Sequence, residues 1–235
     1  MEALLLAGGK AERLGDAAQG LPKPLVPVAG FPLAEYTVAR LVGAGVSRVV
    51  VACRAGQEDV FVDALTGLGA EIEAVGEEEP LGRGGGLRLA ASHRRESGPV
   101  LALNGDELLD VDFSALLAEH AESGAAATLV VAQVRSPFGV VDVEEDGRVT
   151  GFREAPKLDH WVNSGVYVLG EEAIALLPER GDHEQSTFPQ LARGRRLHAH
   201  RHAGVWLTVN TPKDLRKAAE FMEAHPHWRP QRQLA

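Results

Sequence analysis

The first 23 residues carry the parts of an anion site. Gly8 and Gly9 close an apolar run over residues 3–7. Lacking side chains, they let successive backbone N–H groups approach a ligand and form a concavity for negative charge. Arg13 adds a planar cationic fork and Lys23 a point charge, both suited to phosphate. Pro22 and Pro24 predict an extended segment holding Lys23. Further along, a second apolar run ends in Leu103-Asn104-Gly105-Asp106. A carboxylate at the carboxyl end of a parallel strand sits where α/β sheets bind ligands. Mg²⁺ prefers such hard oxygens, one or two carboxylates together with substrate phosphates, so Asp106 is the candidate metal ligand. The neighbouring Glu107 and Asp110 read as solvated or capping acids. A third string, Glu79-Pro80-Leu81-Gly82-Arg83-Gly84-Gly85-Gly86, opens a helix. Its amides could face a base, a sugar or an anion. Arg83 there either adds a phosphate contact or points to solvent.

Strand and helix patterns must deliver these groups to one place. Apolar runs at 3–7, 48–53, 70–75 and 100–103 alternate with helical spacing at 31–44, 58–65, 82–92 and 113–123. That βαβ rhythm predicts a parallel, doubly wound α/β sheet. The second half changes texture. Residues 126–134, 139–143 and 148–154 read as antiparallel strands, with Asp146-Gly147 as a hairpin turn. A strand over 161–169, a helix over 171–177, a strand over 197–202 and a closing helix over 211–224 follow. Thr211 suits the N-cap of that last helix and Pro212 its first turn. His198, His200 and His202 alternate on one strand face, read as solvated because no fourth ligand motif accompanies them. The chain divides into a domain over 1–224 and a proline-broken tail over 225–235 that is expected to fray.

At 235 residues the chain has length for one domain with an ample core. The formal charge of −9 argues against a general nucleic-acid binder, without excluding a local basic pocket. A single cysteine, Cys53, lies in an apolar run and reads as a buried, inert thiol. A reducing cytoplasm is the expected location. The glycines at 8 and 9 interrupt any signal-peptide pattern, and no apolar stretch reaches the ~20 residues of a membrane span.

Read together, residues 6–14 (LAGGKAERL) and 22–30 (PKPLVPVAG) resemble the signature of the sugar-1-phosphate nucleotidylyltransferases. These enzymes join a nucleoside triphosphate to a sugar 1-phosphate and release pyrophosphate. Neither G-x-G-x-x-G nor the P-loop G-x-x-x-x-G-K-[ST] fits here. The 77–85 string EEEPLGRGG resembles the family's base- and sugar-binding loop, in its guanylyl- and uridylyltransferase form. Many relatives carry Thr where Arg83 stands. Phe138-Gly139, residues 151–156 and residues 163–167 resemble its sugar-binding segments. Residues 204–214 resemble its closing W-x-D-x-G-T-P-x-D segment, in which the first Asp is the second metal ligand. In this chain that position is Thr208, and the Gly is Asn210. The usual sugar-phosphate Lys is replaced by Ala155, with Lys157 two residues on.

The resemblance covers residues 2 to about 222. It implies a Rossmann-like nucleotidyltransferase fold, with a mixed, mostly parallel central sheet flanked by helices. Leu6, Ala7, Gly8, Gly9, Glu79 and Gly85 are expected to bind the nucleotide. Arg13, Lys23 and Asp106 are expected to serve catalysis. Gly139, Glu154, Asn163 and Lys157 are expected at the sugar, and Asp106 with Asn210 at Mg²⁺. The expected reaction joins GTP to a mannose- or heptose-type sugar 1-phosphate. Uridylyl or thymidylyl transfer is the alternative, as is a non-catalytic sugar-nucleotide-binding paralogue. NTP and sugar 1-phosphate are the expected partners, with no nucleic acid and no membrane. Homo-oligomers are common in the family.

Overall fold

Leucine and valine runs form strands here because both of their faces are covered. The computed structural model describes residues 1–9 and 11–232. Its elements run β1 (Glu2–Leu6), β2 (Pro27–Val28), β3 (Phe31–Pro32), α1 (Leu33–Gly43), β4 (Arg48–Arg54), α2 (Glu58–Leu65), β5 (Glu71–Glu77) and α3 (Gly82–Ser92). Then come β6 (Val100–Asn104), β7 (Glu107–Leu109), α4 (Phe113–Ser123), β8 (Ala127–Arg135), β9 (Val140–Val143), β10 (Val149–Arg153) and β11 (Lys157–Leu169). The chain closes with α5 (Glu171–Ala175), α6 (Thr187–Arg193), β12 (Leu197–His202), β13 (Trp206–Thr208) and α7 (Pro212–Ala224).

Seven strands form one sheet in the order β12-β8-β11-β6-β1-β4-β5. All run parallel except β11, which is antiparallel to both β6 and β8. The sheet is therefore mixed and mostly parallel. Leu5 of β1 packs on one face with Val38 of α1, Phe61 of α2 and Leu116 of α4. Leu4 packs on the other with Leu87 of α3, Ala173 of α5 and Phe188 of α6. Burial on both faces is why residues 3–6 of β1 are a continuous apolar run rather than alternating.

The expected elements form, with differences at particular places. The strand expected from 161 starts at Lys157. Lys23 is not extended: it opens a 3₁₀ turn, Lys23–Leu25, and only Pro22 before it keeps extended angles. The tail is packed as far as it is described. Trp228 is buried, with the Arg40 guanidinium 4.9 Å above its ring. Arg232 donates to Glu35 at 2.6 Å and to the Ala64 carbonyl at 2.7 Å. An apolar ring and a cation held by a carboxylate anchor what proline content alone suggested would fray; residues 233–235 lie outside the described residues. The histidine face is not solvated either. His198 (2.8 Å) and His200 both meet Glu119 of α4, which covers that face, and His202 meets Asp110 and the Val205 carbonyl, each at 3.0 Å. No helix among the described residues is long and apolar enough to cross a membrane.

Candidate active site

Parallel neighbours bring the carboxyl ends of β5, β4, β1 and β6 to one edge, where α/β sheets place ligands. Gly105 lets the end of β6 close onto β1. Its N–H donates to the Leu6 carbonyl at 2.8 Å, and a Cβ there would lie 2.7 Å from that oxygen and 3.0 Å from Pro24. Only glycine allows that approach, and it sets Asp106 against the turn carrying Lys23. Lys23 is 8% exposed. Its ammonium donates to Asp106 and, at 2.8 Å, to Asn210 Oδ1. Arg13 donates to the same oxygen at 2.9 Å. Asn210 is fixed by the helix behind it. Thr211 caps α7 and Asp214 reaches back to the Thr211 N–H at 2.9 Å, a reciprocal capping box with Pro212 in the first turn. Arg13, Lys23, Asp106 and Asn210 thus meet at one focus from four separate segments. They line a cleft of about 520 Å³, together with Leu6, Gly8 and Gly9. Ala7 lies just beneath, its N–H on the Ala52 carbonyl at 2.7 Å.

Three acids that sequence reasoning did not place there also line this cleft: Glu77, Glu107 and Asp182. Glu77, at the end of β5, sets its carboxylate beside Gly8 and Gly86 and accepts the Leu81 N–H at 3.2 Å. Burial pushes its pKa up, against the backbone bond from Leu81 and the charge of Arg54. Glu107 is not a solvated acid: burial first, then the charge of Asp106, pushes its pKa up to about 8. It accepts the Trp206 indole N–H at 2.8 Å. Glu77 stood in the quoted acidic string and Glu107 beside Asp106, so position rather than residue type was the missing signal. Asp110, half-buried, accepts the Val205 N–H at 2.6 Å and so ties β7 to the turn before β13.

The glycine-led end of α3 does not offer open amides. Gly84 and Gly85 N–H donate to the Gly181 carbonyl at 2.9 and 3.3 Å, and Arg83 N–H to Asp182 Oδ1 at 3.0 Å. The chain's own 181–182 segment thereby satisfies the helix terminus. Gly85 is buried against the Glu179 carbonyl, where a Cβ would lie 2.6 Å away. Glu79 pairs with Arg180 at the surface. Arg83 faces Glu184 at 2.8 Å, and its side chain is half exposed at the cleft wall.

The residues expected at the sugar lie apart from the focus. A Cβ on Gly139 would lie 2.6 Å from the Phe152 ring and 3.1 Å from Glu154 Oε2, so these three meet on the β9–β10 hairpin. Asn163 is spent locally, donating to Tyr167 Oη at 2.8 Å and accepting the Gly165 N–H at 3.0 Å. Lys157 opens β11, exposed, opposite Arg135 of β8. Ala155 adopts a left-handed φ of 45°. None of Gly139, Glu154, Asn163 and Lys157 lines the cleft.

The donor chemistry at the focus fits Mg²⁺. Asp106 and Asn210 both turn hard oxygens to one point, marked by the Lys23 ammonium, and one of them is charged. Among the described residues no three His, Cys, Asp or Glu side chains converge as a metal site. Substrate phosphates would therefore have to complete a coordination shell.

Comparison with known proteins gives a consistent result. The chain matches the Nucleotidyl transferase family over residues 2–225. It is 34% identical over 226 residues to the mannose-1-phosphate guanylyltransferase of Mycobacterium tuberculosis. It is 35% identical over 226 residues to the mannose-1-phosphate guanyltransferase of Emericella nidulans. Each match covers 91% of this chain and 62% of the relative, so the chain spans a little under two thirds of their length. Among solved structures, HddC from Yersinia pseudotuberculosis complexed with GMP-PN shares the fold. Its TM-score is 0.73 at 22% identity, covering 94% of this chain and 99% of that one.

Proposed function

The chain belongs to the nucleotidyl transferase family, and on that premise we propose that it transfers GMP from GTP to a mannose- or heptose-type sugar 1-phosphate. Pyrophosphate leaves and a GDP-sugar forms. The observation that carries this reading is the meeting of Arg13, Lys23, Asp106 and Asn210 at the mouth of the Gly8-Gly9 turn. A phosphate oxygen of the sugar 1-phosphate attacks the α-phosphorus in line with the departing pyrophosphate. Such transfers need positioning and charge neutralisation rather than a protein nucleophile. Lys23 and Arg13 orient and neutralise the phosphates, and the Gly8 and Gly9 amides face the triphosphate without side chains in the way. Asp106 and Asn210 would hold Mg²⁺, which when bound offsets charge on the phosphates.

Glu77 supports guanine as the base. A carboxylate can accept from both the N1–H and the 2-amino group of guanine. Uracil offers a single N3–H between two carbonyls that the carboxylate would repel. Sites built on such buried polar pairs discriminate strongly. The names of the relatives agree with GTP and mannose 1-phosphate.

The test is pyrophosphate release with Mg²⁺, each common nucleoside triphosphate and a panel of sugar 1-phosphates. GTP with a mannose- or heptose-type acceptor is the expected pair. Glu77→Gln is expected to narrow the GTP-over-UTP ratio of kcat/KM by about tenfold or more. Turnover with UTP or TTP but not GTP would overturn the assignment of the base.

A further inference from the structure

Strand β13 brings no carboxylate to the cleft: Thr208 is its last residue, and Thr208 does not line the cleft. In the β7–β13 ladder Thr208 stands directly opposite Glu107. Opposed residues of an antiparallel pair project to the same face. Trp206, two residues before Thr208, shares that face, and its indole N–H reaches Glu107 Oε2 at 2.8 Å. Glu107 therefore projects where an acid on β13 would have projected, and it lines the cleft with Asp106, Lys23 and Asn210.

We propose that Glu107 supplies the second carboxylate of the divalent-metal site, from the strand facing Thr208. The proposal rests on the nucleotidyl-transfer reading above. The Trp206 indole engages one carboxylate oxygen, Oε2, and fixes the side chain; Oε1 is the oxygen left for the ion. Metal ligands are commonly held in this way by a donor behind them. Asp106 and Glu107 would match a divalent cation in charge, Asn210 would add a neutral oxygen, and Lys23 and Arg13 would then be released to the phosphates.

The rival role for Glu107 is a strut that only holds Trp206 and β13. Direct titration with Mn²⁺, in the presence of a non-hydrolysable GTP analogue and read by the resonance of free Mn²⁺, separates the two. Glu107→Gln keeps an acceptor for the Trp206 indole but removes the charge. Its Mn²⁺ dissociation constant is expected to rise at least about tenfold. Adding Thr208→Asp to Glu107→Gln restores an acid on the same face and is expected to recover most of that loss. Glu107→Asp keeps the charge on a shorter arm and is expected to fall between, a second reading should the Gln variant fold poorly. Wild-type Mn²⁺ affinity in both single variants would overturn the proposal. If instead the wild-type chain binds Mn²⁺ through Glu107 but releases pyrophosphate from no nucleotide, the proposed function fails and the metal ligand stands.

Discussion

The halves proposed for the nucleotide and for the sugar are built in opposite ways. In the half proposed for the nucleotide, three stretches far apart in sequence, at residues 13–23, 106 and 210, converge on Lys23 and Asn210, and Lys23 is nearly buried. In the half proposed for the sugar, Gly139 and Glu154 sit on a two-stranded hairpin, β9–β10, outside the seven-stranded sheet. Phe138 and Phe152 on that hairpin are largely exposed, and Asn163 is bonded to its own strand. The contrast locates the source of order in each half. The first is set by the sheet and by helix α7 before any ligand arrives. The second lies on an exposed hairpin outside the main sheet, so less of its order comes from packing.

The largest effect expected from this contrast belongs to the focus. Asp106→Asn should lower pyrophosphate release by about a thousandfold, since several kcal/mol of charge stabilisation depend on that carboxylate. Thermal denaturation should show the fold intact. Activity retained within tenfold would break the picture of a prebuilt nucleotide half.

A second effect concerns the packing behind that half. His183 is fully buried, both ring nitrogens lack a hydrogen-bond partner, and its ring meets Phe188 edge-on at 4.7 Å. Burial, with the charge of Arg83, lowers its pKa from 6.5 to about 4. The unfolded chain therefore binds a proton below 6.5 that the folded chain refuses until about 4. The sign follows: this contribution to stability is complete above 6.5 and is lost as pH falls toward 4, at up to about 1.4 kcal/mol per pH unit. His183→Phe should flatten the fall in urea midpoint between pH 7 and pH 5 relative to wild type. An identical slope in both proteins would remove His183 as the cause.

The smallest effect is expected in the open half. Glu154→Gln should raise KM for the sugar 1-phosphate about tenfold, near 1.4 kcal/mol, and leave KM for GTP unchanged. An equal rise for both substrates would show the halves to be mechanically one.

What was legible in the sequence follows the same division. The strand at the start, the apolar run into Asp106 and the cap at Thr211 are local patterns, and each forms as local propensity dictates. The meeting of Asn210 with Arg13 and Lys23 spans nearly the whole chain, so no window of sequence contains it. The same holds for residues 181–182 closing the end of α3, which turned an apparent anion site into a satisfied helix terminus. Glu77 and Glu107 were legible as acids but not as walls of a cleft, because burial and not residue type gives them their role.

Guanylyl transfer is read most directly by ³¹P NMR of the wild-type chain mixed with GTP, mannose 1-phosphate and Mg²⁺. The GTP and sugar-phosphate resonances are expected to give way together to pyrophosphate and the paired diphosphate signals of a GDP-sugar. GTP left unchanged, or hydrolysed to GDP and phosphate while mannose 1-phosphate persists, would overturn guanylyl transfer to this sugar.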